Sequence, residues 1–549
     1  MRMPLLRSAI TSVIALCTAV SLVGVSASAV SLNSVSVSSI SPNSVNNSAV
    51  AATSSLPGFD ESRLDFAIEH ALEQFYTPGM SVAVVHGEHT IYAKGFGLAN
   101  IARRQAVSPE TYFRLASTSK AFTAAAVSIL VDEGKLAWDD LVIDHIPHFR
   151  MQDDYATLHF TVEDLLTHKS GLLSGAGDSM IWPEPSGFTR QEVIKNLRYL
   201  TPEYEFSRRY AYSNVMYITA GELVAKLSGQ SFEDFVDERI FKALDMPCFT
   251  GAMPPDAVAI SAMSYGHSDA KGIYPIPRNA ITGEAQMSAA AGGMVCNANG
   301  MAKWISALLR PNSSILSSEQ LDKMWQPHTI LGVSDIEHEW NHTHFKSYGL
   351  GWRLSNEGRF KVVSHTGTLS GYQAFVVLIP ELNAGAVVLN NGSNYGARGS
   401  VMQSIVKMLM NEPEHDWVHA YVEYQKEQEQ RYLARAQTPT PTAGMSINMQ
   451  QLLGTYRDAW FEDFTIFEES GEVRIASSRM TTLTGTIENF QDTSFKIVWD
   501  NQNAASDAFL HAELDLNRNI TGFKLHPFGA HVQLNHEWRD MHFKKVAEQ

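Results

Sequence analysis

The chain is short of cysteine, short of positive charge and nearly free of long apolar runs, and each shortage removes a class of explanation. Three cysteines in 549 residues do not make a disulfide-dense scaffold. Cys17 lies in an N-terminal apolar stretch, which leaves only Cys248 and Cys296. An oxidising compartment would let those two pair, but their spacing does not decide it, and metal ligation by them is the weaker reading. Lysine and arginine number 42 against 58 aspartates and glutamates, for a formal net charge of -16. That balance argues against nucleic acid or an anionic membrane as the main partner. The one uncharged run of near-spanning length follows Arg2 and Arg7, continues to about Val25 and ends before Ala27-Ser28-Ala29. A basic start, an apolar run and an A-x-A site read as an export leader over residues 1–29, cleaved rather than kept as an anchor. Cys17 follows a leucine in that run and lacks the small residue before it that a lipid anchor needs. An exported protein, periplasmic or secreted, is expected.

What is present is a globular chain, 44% hydrophobic and 18% charged, long enough for two or three domains. Residues 30–57 are Ser, Asn and Val of low complexity, a flexible tether. Residues 58–412 mix helix and strand patterns. "MSVAVVHGEHTIYAKGFGLAN" (80–100) reads as a hairpin turning at Gly87-Glu88, and "GYQAFVVLIPELNAGAVVLNN" (371–391) as another. In "TVEDLLTHKSGL" (161–172), Thr161 is the expected helix cap and Gly171 the stop. Strands at both ends with helices between predict a sheet assembled from both termini around a helical insertion. Residues 413–446 read as a charged amphipathic helix followed by the stiff spacer "TPTPTAG" (438–444). From 447 to 549 short β-type segments such as "EVRIASS", "SFKIVWD" and "ITGFKLH" predict a small antiparallel barrel or sandwich. No internal repeat is visible.

Three short patterns carry chemistry. In "FRLASTSKAFTAAAVSIL" (113–130), Ser117 precedes Lys120 by one helical turn, which puts a hydroxyl and an amine on the same face. A lysine entering so apolar a helix needs a partner. The same S-x-x-K spacing recurs at Ser268–Lys271 and Ser404–Lys407, so alone it decides nothing. Tyr212-Ser213-Asn214 is the only Y-x-N in the chain and precedes an amphipathic helix, where the plain reading is a capping turn. The functional reading gives Tyr212 a proton-transfer role toward Ser117 and lets Asn214 orient a substrate amide. His365-Thr366-Gly367 opens a strand, where Gly367 would let a substrate backbone approach and His365 would supply positive charge or a hydrogen bond. Lys169-Ser170-Gly171 fits the same pattern but precedes Tyr212 in a helix-end context, and is set aside.

STSK, YSN and HTG in this order, on a helix start, a loop and a strand, resemble the penicillin-recognising serine hydrolases: class C β-lactamases, DD-carboxypeptidases, D-aminopeptidases and related esterases. "LLTHKSGL" (165–172), "AAAGGMVCNANGMAKWISALL" (289–309) and "YGLGW" (348–352) are similar to further stretches of that family. The resemblance covers about residues 59–410. It implies an α+β fold, a β-lactamase/transpeptidase-like antiparallel sheet flanked by helices with a helical insertion, here followed by a lipocalin-like barrel. It also implies that Ser117 is acylated, that Lys120 and Tyr212 share base and acid work, and that the N–H groups of Ser117 and Thr368 form the oxyanion hole. Asn214, His365, Thr366 and Gly367 would line the substrate, and Arg353 would take a terminal carboxylate. Class C β-lactamases generally carry lysine where His365 stands, so the resemblance leans toward enzymes acting on D-amino-acid peptides. The expected substrate is a small or peptidoglycan-like peptide, with no cofactor and no metal. An esterase, a weak β-lactamase or a slowly turning-over penicillin-binding protein are the alternatives. The β-domain would serve assembly, including a homo-oligomer, or restrict access. "HEWNH" (338–342) matches the zinc-protease signature, but its flanks lack an apolar stripe and it reads as a solvated His-rich loop.

Overall fold

The computed structural model describes residues 56–278, 286–310, 314–435, 447–501, 507–527 and 538–547. The leader, nearly all of the tether and the spacer 438–444 lie outside the described residues.

Nine antiparallel strands form the central sheet. Three come from the N-terminal side: β1 (Gly79–His86), β2 (His89–Asn100) and β3 (Gln105–Ala106). Six follow the helical insertion: β4 (Thr329–Leu331), β5 (Lys346–Tyr348), β6 (Arg353–Glu357), β7 (Phe360–Leu369), β8 (Tyr372–Ile379) and β9 (Ala384–Asn390). Their order is β3-β2-β1-β9-β8-β7-β6-β5-β4, so the first and last strands of the unit pair at its centre, Val82 opposite Val388. The sheet is therefore assembled from both ends, as the sequence pattern predicts, and both predicted hairpins form.

The run "MSVAVV" is apolar without alternation because β1 is covered on both faces. Val82 and Val84 enter a core with α1 (Glu61–Gln74), while Ala83 and Val85 enter the core of the helical insertion. The insertion contributes α2 (Ser119–Asp132), α3 (Asn214–Ser228) and α4 (Ala298–Leu309); α5 (Asp335–Asn341) follows β4, and α6 (Tyr395–Leu409) with α7 (Trp417–Arg435) close the α1 face.

The last strands, β10 (Gly454–Asp458), β11 (Glu462–Glu469), β12 (Glu472–Ser477), β13 (Thr484–Gln491), β14 (Ser494–Trp499), β15 (Ala508–Leu514), β16 (Ile520–Pro527) and β17 (Phe543–Lys545), form a closed barrel. Closure leaves no sheet edge exposed. Tyr456, Phe464, Phe495, Trp499 and Phe523 alternate inward and are buried. The barrel rests on the helical insertion: Gly187 N–H donates to the Arg479 carbonyl at 2.8 Å, Asn196 Nδ2 to the Trp460 carbonyl at 3.1 Å, and Arg539 pairs with Glu203 at 2.7 Å. A Cβ on Gly187 would sit 2.3 Å from the Arg479 oxygen, so a side chain there would break the contact.

Three local expectations change. The helix after Thr161 does carry the cap, with a reciprocal bond to Asp164, but it ends at Leu166; Gly171 lies beyond it in a turn with φ +84°, its α-carbon facing the Tyr204 carbonyl. The "HEWNH" stretch is helix rather than loop, capped by Ser334 and Glu337, with His342 ending it in the left-handed region. Trp340 packs on Trp417, Tyr421 and Tyr424, so this segment packs against α7. Cys248 and Cys296, whose pairing the spacing left open, are joined in a disulfide.

Candidate active site

Ser117 lies in a 3-10 turn, Ala116–Thr118, immediately before α2 rather than inside its first helical turn. The turn is over-determined. Leu115 N–H donates to the Met294 carbonyl at 2.8 Å, and Thr118 Oγ1 closes back on the Leu115 carbonyl at 2.8 Å. Ala116 is held at φ +48°, a left-handed conformation costing about 1–3 kcal/mol for a non-glycine residue. Between Thr111 and Leu130 every residue is buried except Ser117. The strain therefore brings one hydroxyl out of an otherwise closed wall.

Lys120 has no exposed surface. Its Nζ lies 3.4 Å from Ser117 Oγ, 2.7 Å from Asn214 Oδ1 and 2.5 Å from the Ala291 carbonyl. These are the partners that an apolar helix could not supply. They come from α3 and from the small-residue stretch 289–293, where a Cβ on Gly292 would lie 3.3 Å from the Ala116 carbonyl carbon. The neighbouring Thr123 Oγ1 is held by the Ala290 carbonyl at 2.7 Å. "YGLGW" has a comparable use: a Cβ on Gly351 would lie 2.7 Å from the Lys120 carbonyl.

Asn214 opens α3, and Ser213 before it makes no side-chain cap, so the capping explanation of Y-S-N fails. The Asn214 amide spans two groups. As an ammonium Lys120 only donates, so it faces Oδ1; the Asp178 carboxylate accepts from Nδ2 at 2.9 and 3.1 Å. Burial pushes the Asp178 carboxyl up to about 7, against the pull of the Asn214 hydrogen bond and the Lys120 charge. Tyr212 is buried, and its ring centroid stands 4.7 Å from Lys120 Nζ. Its backbone is pinned by Ser174 Oγ, 2.9 Å from the N–H, and by Gly175 N–H, 2.8 Å from the carbonyl. His168 supports the same turn: Nδ1 accepts from Ser213 N–H at 3.1 Å, and its ring lies 4.3 Å from that of Tyr212.

His365 has no exposed surface, and the structure removes the positive charge considered for it. Nδ1 lies 2.8 Å from the Thr366 carbonyl, which only accepts, so Nδ1 carries the proton. Nε2, 3.0 Å from the Tyr348 hydroxyl, then accepts. Burial first, then the charges of Arg353 and Lys120, hold the imidazole well below its ordinary pKa. It is a neutral hydrogen-bonding group.

Strand β7 outruns its neighbour. β6 pairs with residues 360–364, from Phe360 to Ser364, and stops, whereas β8 continues beside Val363 through Leu369. His365, Thr366, Gly367 and Thr368 thus form an edge that β6 leaves unpaired. Arg353, first residue of β6, stands at the head of that edge with Nη1 3.5 Å from Thr366 Oγ1. Gly367 has a purpose that the sequence reading did not give it: a Cβ there would fall 2.1 Å from the Leu115 carbonyl oxygen, so its bareness admits the serine turn itself. Arg398 of α6 donates to the Gly367 carbonyl at 2.5 Å and to Thr368 Oγ1 at 3.1 Å, which fixes the strand from behind.

The nine sequence-predicted residues lie on the serine turn, the start of α2, the Tyr212–Asn214 stretch and the paired strands β6 and β7, and the decoys lie elsewhere. Ser268–Lys271 is a surface hairpin turn between Tyr265–Ser268 and Gly272–Pro275, and Lys407 is buried at 3.1 Å from Glu412. Asp178, His168, Tyr348, Arg398 and the Ala291 carbonyl were missed. His168, Ala291 and Tyr348 lie in "LLTHKSGL", "AAAGG" and "YGLGW", stretches that the sequence marks without giving these atoms a role, whereas Asp178 and Arg398 act through contacts between distant segments that no residue pattern advertises.

The geometry agrees with what the chain is similar to. A curated relative from Aspergillus campestris, "Unguisins hydrolase ungD'", is 28% identical over 434 residues, covering 73% of this chain and 77% of the relative. "Protein flp" of Staphylococcus aureus (strain MW2) is 26% identical over 342 residues, and the match spans 60% of this chain and 63% of that protein's length. Among solved structures, the octameric penicillin-binding protein homologue from Pyrococcus abyssi superposes with a TM-score of 0.58 at 22% identity, over 89% of this chain and 100% of that one. D-amino acid amidase from Ochrobactrum anthropi SV3 does so at 0.51 and 22% identity, over 66% and 99%. At that identity the two structures speak for the fold, including, for the first, a span that reaches the C-terminal barrel. The profile of the Beta-lactamase family matches residues 64–403, well over half of the chain, and the protein belongs to that family as a serine hydrolase.

Proposed function

We propose that the protein cleaves amide bonds in D-amino-acid-containing peptides or amides through an acyl-enzyme on Ser117. The observation that carries this is the isolation of one hydroxyl, Ser117 Oγ, 3.4 Å from an amine held by Asn214 and the Ala291 carbonyl. Lys120, together with Tyr212, takes the Ser117 proton as Oγ attacks the substrate carbonyl. The N–H groups of Ser117 and Thr368 stabilise the oxyanion, and the proton passes to the leaving amine as the C–N bond breaks. Water then adds to the ester by the same route in reverse and releases the acid. The open edge of β7 pairs with the substrate backbone, and Arg353 takes a carboxylate at its head. The D-amino-acid preference is supported by His365 in place of lysine and by a D-amino acid amidase among the structural neighbours. Export is proposed from the N-terminal leader pattern alone. Assembly through the barrel is a further proposal, supported by the octameric description of the Pyrococcus neighbour and checked by light scattering.

The test is intact mass spectrometry with a panel of D-aminoacyl amides, D-Ala-D-Ala peptides, p-nitrophenyl esters and nitrocefin. A mass increase equal to the acyl group is expected on the parent and absent in Ser117→Ala, with hydrolysis falling by at least about 10³-fold. A Ser117→Ala protein that retains its rate refutes the assignment. An acyl adduct formed only with esters, or only with nitrocefin, replaces the amide reading with that substrate class.

A further inference from the structure

Among the described residues, Asp178 is the one carboxylate hydrogen-bonded into the group of side chains around Lys120, and the acyl-transfer reading gives it no part. It is 3% exposed. It opens a three-residue 3-10 turn whose entry, Gly177 at φ +86°, lies against Val215 of α3. The turn is also tied to the Tyr212 backbone: Asp178 N–H donates to the Gly175 carbonyl at 3.0 Å, and Gly175 N–H donates to the Tyr212 carbonyl at 2.8 Å. Its carboxylate accepts both of its bonds from Asn214 Nδ2, and the other end of that amide holds Lys120 at 2.7 Å.

An amide can face Lys120 with either end. With Nδ2 inward, two donors would meet and the lysine would lose an acceptor. When ionised, the carboxylate removes that choice, because only Nδ2 can then serve it. It also places a negative charge one amide group from the amine whose proton balance starts the reaction. We infer that Asp178 is a positioning residue that orients the Asn214 amide and, through it, sets the pH at which Lys120 becomes able to accept the Ser117 proton. The inference rests on the acyl-transfer reading of Ser117 and Lys120.

The surrounding charges are few. Lys120 approaches from α2 and Asn214 from α3, with the rings of Tyr212 and Tyr217 beside the amine. His168, His365 and Arg353 complete the set from the loop after Leu166, from β7 and from β6; burial holds both imidazoles neutral, and Arg353 is cationic. Among the described residues, Asp178 is the acid whose charge, when ionised, acts on Lys120 here. Its own carboxyl, pushed up to about 7, changes charge within the working range. An ionised Asp178 favours the ammonium form of Lys120, so removing the charge makes the free amine available at lower pH.

Asp178→Asn and Asp178→Ala separate the two roles. Asn keeps an acceptor for Nδ2 without the charge; Ala keeps neither. The readout is p-nitrophenyl acetate hydrolysis from pH 5 to 10, with thermal melts to compare folding and Ser117→Ala in parallel. Asp178→Asn is expected to move the acid limb of kcat/KM down by about one pH unit. Asp178→Ala is expected to lose about 10-fold to 10²-fold in kcat with KM little changed, since Asp178 touches no substrate. Asp178→Asn profiles that superimpose on the parent overturn the inference, even if Asp178→Ala fails to fold. A dead Ser117→Ala beside unshifted Asp178→Asn refutes this inference and leaves the acyl-enzyme reading standing. A Ser117→Ala that keeps the parental rate refutes both.

Discussion

The sharpest consequence of the fold concerns Gly367. Its backbone faces the Leu115 carbonyl so closely that a methyl group would sit 2.1 Å from the oxygen, 3.1 Å from Ala116 Cβ and 3.2 Å from the Leu115 carbonyl carbon. An ordinary carbon-to-oxygen approach is about 3.3 Å, so Gly367→Ala must drive β7 and the serine turn apart by about 1 Å. Neither side yields cheaply. The strand is paired to β8 on one side and gripped by Arg398 behind, and the turn is tied to Met294 and closed by Thr118. Overpacking of this kind costs about 1–3 kcal/mol. The displacement acts on the distance between the Ser117 hydroxyl and the strand edge, where about 1 Å is worth roughly 10²-fold in rate. Gly367→Ala is therefore expected to lose far more activity than stability, measured by p-nitrophenyl acetate turnover and urea unfolding. Gly332→Ala is the control. It meets open space, with no atom within 4 Å of the added carbon, and should change stability by less than about 0.5 kcal/mol. Gly367→Ala with parental rate and stability would refute the claim that the glycine exists to admit the serine turn.

Two further outcomes follow from buried charge. Glu184 bridges Arg114 at 2.8 Å, Arg278 at 3.3 Å and Ser288 Oγ at 3.1 Å, so Glu184→Gln leaves two arginines facing each other and should cost about 3–5 kcal/mol in urea unfolding. An unchanged midpoint would mean that the cluster contributes nothing. Glu357 is buried beside Lys407, and burial raises its carboxyl to about 7. Because the folded value lies above the unfolded one, its stabilising effect is complete below about pH 4 and lost as pH rises through 7. Glu357→Gln should therefore gain about 1–3 kcal/mol at pH 8 and show a smaller pH 5 to pH 8 difference than the parent. Equal differences in the two proteins would refute the linkage.

Local signals were legible where they repeat along the chain. The two hairpins declare themselves by β-rich runs around Gly87-Glu88 and around Pro380 to Asn383, and α7 by its charged periodicity. The barrel was visible in six of its eight strands. β10 and β11 went unread because "GTYRDAWFEDFTIFEE" carries charged residues on the outer face of a structure whose inner face alone is apolar. The His-rich stretch was misread as loop for a related reason: its helix is short, capped by polar groups, and buries no residue of its own.

The sequence by itself determined the order of the three motifs and the assembly of one sheet from both ends of the unit, since these depend on residue type and spacing along the chain. Tertiary structure decided the rest. It isolated the Ser117 hydroxyl by burying every neighbour, gave Lys120 its acceptors, made His365 neutral, brought Asp178 to Asn214 and paired Cys248 with Cys296. Those outcomes turn on burial and on contacts between residues brought together by the fold, from Asp178 and Asn214, 36 residues apart, to Lys120 and Ala291, 171 apart, which no local pattern encodes.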